Sequence, residues 1–104
     1  MSVVSVYAVF ADAEEAERIG RMVVEERLAA CVNILGSVRS IYRWEGAVQI
    51  ADEIAAIFKT EHSHAEALIE RVTALHSYDV PCVVSWPADG ASCKYAQWVE
   101  DSVG

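Results

Sequence analysis

Residues 28–46 read LAACVNILGSVRSIYRWEG, and the reading of this stretch decides the fold. It is too long and too regularly apolar for a loop, and its β-branched and aromatic content argues against helix. Between Val38 and Trp44, Val38, Tyr42 and Trp44 fall on one face of an extended chain, and Arg39, Ile41 and Arg43 on the other. The run from Ala47 to Thr60 continues the pattern, with Val48, Ile50, Ile54, Ala56 and Phe58 on one face. Gly46 stands between the two runs, where a tight turn needs a residue that tolerates positive φ. The stretch therefore reads as one long hairpin. Fully extended, Ala30 to Glu45 reaches on the order of 50 Å at about 3.3 Å per residue. A domain of about 100 residues has a radius of gyration near ~13 Å. The hairpin should overhang its own globule and take cover from another subunit.

The bulk properties agree. The 104 residues make one domain, 1–104, and 54% of them are hydrophobic. That is rich for a small monomer and favours an oligomer that shares apolar surface. Sixteen acids against eight bases give a net charge of −8. Such a surface repels phosphate backbones, so no nucleic-acid partner is expected. Cys31, Cys82 and Cys93 are odd in number and form no CxxC pair, which argues against a disulfide framework or a zinc knuckle. A reducing compartment follows. Met1 to Phe10 lacks a basic n-region and a cleavage site, and no apolar run approaches the ~20 residues that span a bilayer. A cytoplasmic protein without membrane contact is expected.

Around the hairpin, Val3 to Phe10 reads as a central strand, apolar on both faces. Asp12 is the expected N-cap of a helix running to about Arg27, with Glu15 as its capping-box partner. Ala16, Ile19, Val23 and Leu28 form its apolar stripe, while Glu14, Glu15, Glu17, Glu25 and Glu26 are expected to face water. Gly36 suggests a bulge in the first hairpin strand. Ser63 and Glu66 suggest a second capping box, followed by the stripe Leu68, Ile69, Val72 and Leu75. Val80 to Trp86 is the expected fourth strand, Pro87 to Gly90 a turn, and Ser92 to Ser102 a terminal helix. The order β-α-β-β-α-β plus a helix is the ferredoxin-like α+β pattern, a four-stranded antiparallel sheet with two helices on one face.

The chemistry-bearing residues are few. His76, Tyr78 and Cys82 lie between the second helix and the fourth strand, and a histidine with a thiol suits copper or zinc. Two protein ligands fall short of the four of structural zinc, so a site here needs donors from neighbouring subunits. His76 can equally close the helix C-terminus. Cys31 can be a metal or redox thiol or a small packing residue. Cys93, beside Lys94, reads as incidental. His62 and His64, two apart near a helix start, do not share a helix face. No phosphate loop, nucleophile elbow or HExxH occurs. A Cys82–His76 nucleophile pair has no evident third group, and no enzyme is expected. An acyl-phosphate hydrolase using Asn33 and Arg27 lacks its phosphate loop, because the first strand–helix turn, ADAEEAE, is acidic.

At LAACVNI, SIYRWEG, the FKT closing the hairpin, LHSYDVP and KYAQW, in that order along nearly the whole chain, the sequence resembles the CutA divalent-cation tolerance family. The resemblance implies a homotrimer of ferredoxin-like subunits, built like the PII signalling proteins. It also implies a link to tolerance of copper and other divalent metals, without implying a settled reaction. Cys82 stands where the family usually carries a glutamate, Ala8 where a hydroxyl residue is common, and Ser77 where the family has proline. Under this resemblance Cys31, His76 and Cys82 are the expected metal residues, with copper or another divalent metal as the ligand. Tyr42, Trp44, Lys59, Tyr78, Tyr95 and Trp98 are expected around a cleft between subunits. Aromatic walls, one cation and a histidine there suit a small anionic or planar ligand, and the same aromatics can equally seal the contact between subunits. Copper binding by a homotrimer is the leading expectation. The alternative is a PII-like module that binds a small metabolite and relays its occupancy to a signalling partner.

Overall fold

The structure, a computed structural model, describes residues 2–104. Seven elements follow in order: β1 Val3–Phe10, α1 Ala13–Glu25, β2 Cys31–Trp44, β3 Ala47–Glu61, α2 His62–Leu75, β4 Val83–Pro87 and α3 Cys93–Ser102. The four strands form one sheet in the order β2-β3-β1-β4, antiparallel throughout. This is the expected ferredoxin-like α+β arrangement. β1 is almost wholly buried because it is central, paired with β3 on one side and β4 on the other.

The hairpin is closed by Glu45 and Gly46, at φ 50° and 81°, between the paired residues Trp44 and Ala47. Positive φ at both central residues is the mark of a type I′ loop, whose twist matches that of the flanking strands. The expected bulge lies between Ile34 and Gly36, where Leu35 is left without a partner and Gly36 has φ 109°. Cross-strand partners face the same side of a sheet. One face of the sheet therefore carries Val6, Ala8, Phe10, Ala56 and Phe58, which pack under α1 and α2 with Ile19, Val23, Leu68 and Val72.

The other face is divided along its length. At the Val3 end it is covered by α3, through Val3, Ala30, Ala96, Val99 and Val103. Beyond α3 it is open, and Val84 and Trp86 of β4 stand 48% and 45% exposed on it. The outer hairpin lies past both helices. There the cross-strand pair Ile41 and Ile50 is 68% and 65% exposed. The longest dimension of the chain is 45 Å, against 26 and 22 Å across. The hairpin does overhang.

Four local expectations are corrected. Glu15 does not face water: it is buried, because its carboxylate accepts from two backbone amides that have no other partner nearby. The cap of α2 is Glu61, not Ser63. Its side chain accepts from the amides of His62 and Ser63 and from the Ser63 hydroxyl. α1 ends at Glu25, two residues early, because Arg27 turns to φ 62° and the amides of Leu28 and Ala29 return to the Val23 carbonyl. β4 begins at Val83 rather than Val80. Residues 77 and 78 give their amides to side chains instead of a ladder, and Pro81 has no amide to give.

Candidate functional site

The loop from His76 to Cys82 is fixed from below before it offers anything to solvent. The His76 side chain is fully buried at the end of α2. Its ring stacks on Phe10 at 5.0 Å and lies 4.8 Å from the Tyr78 ring. The Tyr78 amide donates to Nδ1 at 3.1 Å, which leaves Nε2–H to donate to the Val9 carbonyl at 2.8 Å. These partners assign the neutral tautomer. Beside it, Glu15 Oε2 accepts from the Ser77 amide at 2.8 Å and Oε1 from the Ala11 amide at 3.1 Å. Burial pushes the Glu15 carboxyl up, and the Ser77 and Ala11 hydrogen bonds outweigh it, so the net shift is downward. Glu15 and His76 together anchor the loop to α1 and β1.

Above this anchor lies a cleft of about 610 Å³. Tyr42 and Trp44 of β2, Val9 of β1, Glu53 of β3, and Tyr78, Asp79 and Cys82 of the loop line it. The register explains the company. A two-residue turn at Glu45 and Gly46 pairs Trp44 with Ala47, Tyr42 with Gln49 and Val38 with Glu53. Tyr42, Trp44 and Glu53 therefore share a face. Tyr78 Oη donates to Glu53 Oε2 at 2.8 Å and ties the loop to the hairpin. Burial first, and then this bond to a carboxylate, raise the Tyr78 hydroxyl pKa, so the ring stays neutral. Burial and the Glu53 charge also push the Cys82 thiol up.

The remaining expected residues lie elsewhere. Cys31 and Lys59 are cross-strand partners, level with Ser5 of β1. Val9, at the cleft, is four residues along that strand, roughly 13 Å away. Cys31 Sγ lies 3.6 Å from Tyr95 Oη, and Trp98 packs beside Tyr95 with ring centroids 5.7 Å apart. Burial and the Cys31 contact push the Tyr95 hydroxyl up to about 12. Within one chain, then, Tyr42, Trp44, Tyr78 and Cys82 come together, whereas Lys59, Tyr95, Trp98 and Cys31 form a second group at the α3 end. His76 sits beneath the first group with both ring nitrogens engaged.

Among the described residues no group of three His, Cys, Asp or Glu side chains is arranged to hold a metal ion. The set Cys31, His76 and Cys82 does not make a copper centre within one subunit. Reading the residues missed Glu53 and Asp79. Glu53 was legible in principle, since the turn at Gly46 fixes its partner and its face. Asp79 sits in a loop with no period to read.

A ferredoxin-like chain with a third helix on the far face and a ligand-sized cleft at the root of an overhanging hairpin defines a class of small α+β subunit. Within that class the chain belongs to the CutA1 divalent ion tolerance protein family, whose model matches residues 4–102. It is 43% identical over 97 residues to "Protein CutA, chloroplastic" of Arabidopsis thaliana, covering 93% of this chain and 53% of that protein. The chain spans about half the length of the plant relatives it matches. The crystal structure of CutA from Xylella fastidiosa superposes with a TM-score of 0.96 at 34% identity, covering 100% of both chains. The structure of a protein described as the periplasmic divalent cation tolerance protein CutA of Archaeoglobus fulgidus gives 0.94 at 34% identity, over 98% and 99% of the two chains. Relatives thus include chloroplastic and periplasmic proteins. Among the described residues no helix is long and apolar enough to cross a membrane.

Proposed function

We propose that this chain is a non-enzymatic, homotrimeric binding module of divalent-cation tolerance, whose cleft takes a small ligand and passes its occupancy to a partner in the manner of PII-like proteins. The observation that carries this is the cleft itself. A volume of about 610 Å³ walled by Tyr42, Trp44 and Tyr78 exceeds what an ion requires and falls in the range of small-molecule sites. Assembly is supported by the open sheet face and the bare outer hairpin, which no element among the described residues covers. The three free cysteines fit a reducing compartment, the cytoplasm. A thermal-shift screen of metabolites on the full chain tests the reading. Selective stabilisation that is lost in Trp44→Leu and kept in Lys59→Ala is expected, since Lys59 lies at the other end of the sheet. Stabilisation lost only in Lys59→Ala, or none at all, overturns it.

Copper binding is the second reading, favoured by one observation: the Cys82 thiol opens into a cleft that also holds Glu53 and Asp79. Donors from a second copy complete the set, and thiolate selects the softer Cu(I). Calorimetric titration of the reduced protein is expected to show saturable copper uptake that Cys82→Ser removes and Cys31→Ser leaves. Equal uptake in the wild type and Cys82→Ser overturns it.

A further inference from the structure

The charge of the cleft is opposite to what its aromatic walls and a lysine first suggest. Lys59, the cation that makes an anionic ligand plausible, is paired with Cys31 and Ser5 at the α3 end. The cations of the outer hairpin spring from the other face of the sheet. Arg39 and Arg43 alternate with Val38, Tyr42 and Trp44 and so leave from the opposite face. Arg39 is also held by Asp52, Nε to Oδ1 at 3.2 Å. Arg43 starts from that opposite face but is one of the residues that line the cleft. The cleft therefore carries two carboxylates, Glu53 and Asp79, against the one guanidinium of Arg43, together with three aromatic rings.

The carboxylates and the rings are suited to positive charge. The faces of Tyr and Trp rings are negative and attract cations, more strongly where water is displaced. Glu53 accepts the Tyr78 hydroxyl through Oε2, which fixes the carboxylate and leaves Oε1 without a hydrogen-bond partner among the described residues. The Tyr78 ring is held from behind by the buried His76. The site is therefore braced before any ligand arrives, and preorganisation lowers the cost of binding. Val9 supplies an apolar floor.

We propose that the cleft binds a small organic cation, an ammonium carried on a compact apolar body. The cation lies against the rings of Tyr42, Trp44 and Tyr78 and is neutralised by Glu53 and Asp79. This deepens the small-ligand reading of the same cleft and rests on it.

Three probes of one shape and different charge test the proposal: choline, its neutral carbon isostere 3,3-dimethyl-1-butanol, and the anion 3,3-dimethylbutanoate. Each is titrated to millimolar concentration into the full chain, following the Trp44 indole N–H resonance, which Trp44→Phe assigns. Choline is expected to shift this resonance saturably, at least tenfold more tightly than the neutral isostere, and the anion not at all. Tenfold is about 1.4 kcal/mol, within the range of one cation–π contact. Glu53→Gln, which keeps an acceptor for Tyr78, is expected to weaken choline about tenfold, and added salt to weaken it further. Equal binding of choline and the neutral isostere, or tighter binding of the anion, overturns the cationic assignment while leaving a small-molecule cleft. Unchanged choline affinity in Glu53→Gln combined with Asp79→Asn also overturns the assignment. No shift with any probe overturns both, and means that the cleft is filled by a neighbouring copy.

Discussion

Glu15 is an acid only 5% exposed, and it holds the loop that carries Tyr78 and Cys82. Its folded pKa lies below its ordinary 4.5. The ionised form is the one the fold prefers, so its contribution is fully present above about pH 4.5 and is lost as pH falls through the lower, folded value. The wild type should therefore lose stability in acid more steeply than Glu15→Gln. At neutral pH that variant should be weaker by about 1–3 kcal/mol, because one amide acceptor must replace two. Urea unfolding at several pH values reads both effects: parallel curves for the two proteins would refute the first, and coincident curves both. Gly20 makes a second residue-scale case. A Cβ there would lie 2.8 Å from Val32 Cγ1, and valine is stiff at χ1. Gly20→Ala should push α1 off the sheet and cost about 1–3 kcal/mol in denaturant midpoint experiments, despite alanine's better helix propensity.

At the scale of elements, the hairpin turn is imperfect in one residue. Glu45 sits at φ 50°, where a side chain with a free Cβ is strained and asparagine is tolerated. Glu45→Asn should raise stability by about 0.5 kcal/mol without moving the register, which a thermal melt and an unchanged cross-strand pattern of amide contacts would check. This turn also marks what could be read from the chain alone. Gly46 announced the turn and Gly36 the bulge, and strict alternation then placed Val38, Tyr42 and Trp44 on one face. All three signals are local. The cap of α2 was misread because two serviceable acceptors, Glu61 and Ser63, stand two residues apart, and which of them caps depends on where β3 stops. Lys59, expected with Tyr42 and Trp44 around a cleft between subunits, lies far from them within one chain, because a strand of fifteen residues sets its two ends apart. Membership of the cleft depends on distance through space, and no period in the sequence reports that. Glu15 faced inward against its chemistry because the loop after α2 arrived to donate to it, a contact across 62 positions of chain.

For the molecule as a whole, the unequal cover of the sheet has a measurable result. One face is sealed by two helices, while the other is sealed only where α3 lies. The Ile41 and Ile50 pair stands in solvent at 68% and 65% exposure. Sedimentation of the full chain at micromolar concentration should give three times the 11.4 kDa of one copy. The melting temperature should rise with protein concentration, as mass action requires of a coupled assembly. The double variant Ile41→Ser with Ile50→Ser should dissociate more readily and melt lower. A single-copy mass for the wild type would refute the assembly.

The central place of β1 bears on the order of events during synthesis. This strand precedes the other elements, and both of its neighbours in the sheet come later, β3 at Ala47–Glu61 and β4 at Val83–Pro87. The β2–β3 hairpin can zip within microseconds, since its partners are close in sequence. The apolar segment Val3–Phe10 must meanwhile wait for residues some fifty to eighty positions downstream. A nascent chain of this design carries an apolar strand unpaired until β3 has been made, an interval in which a chaperone has something to hold.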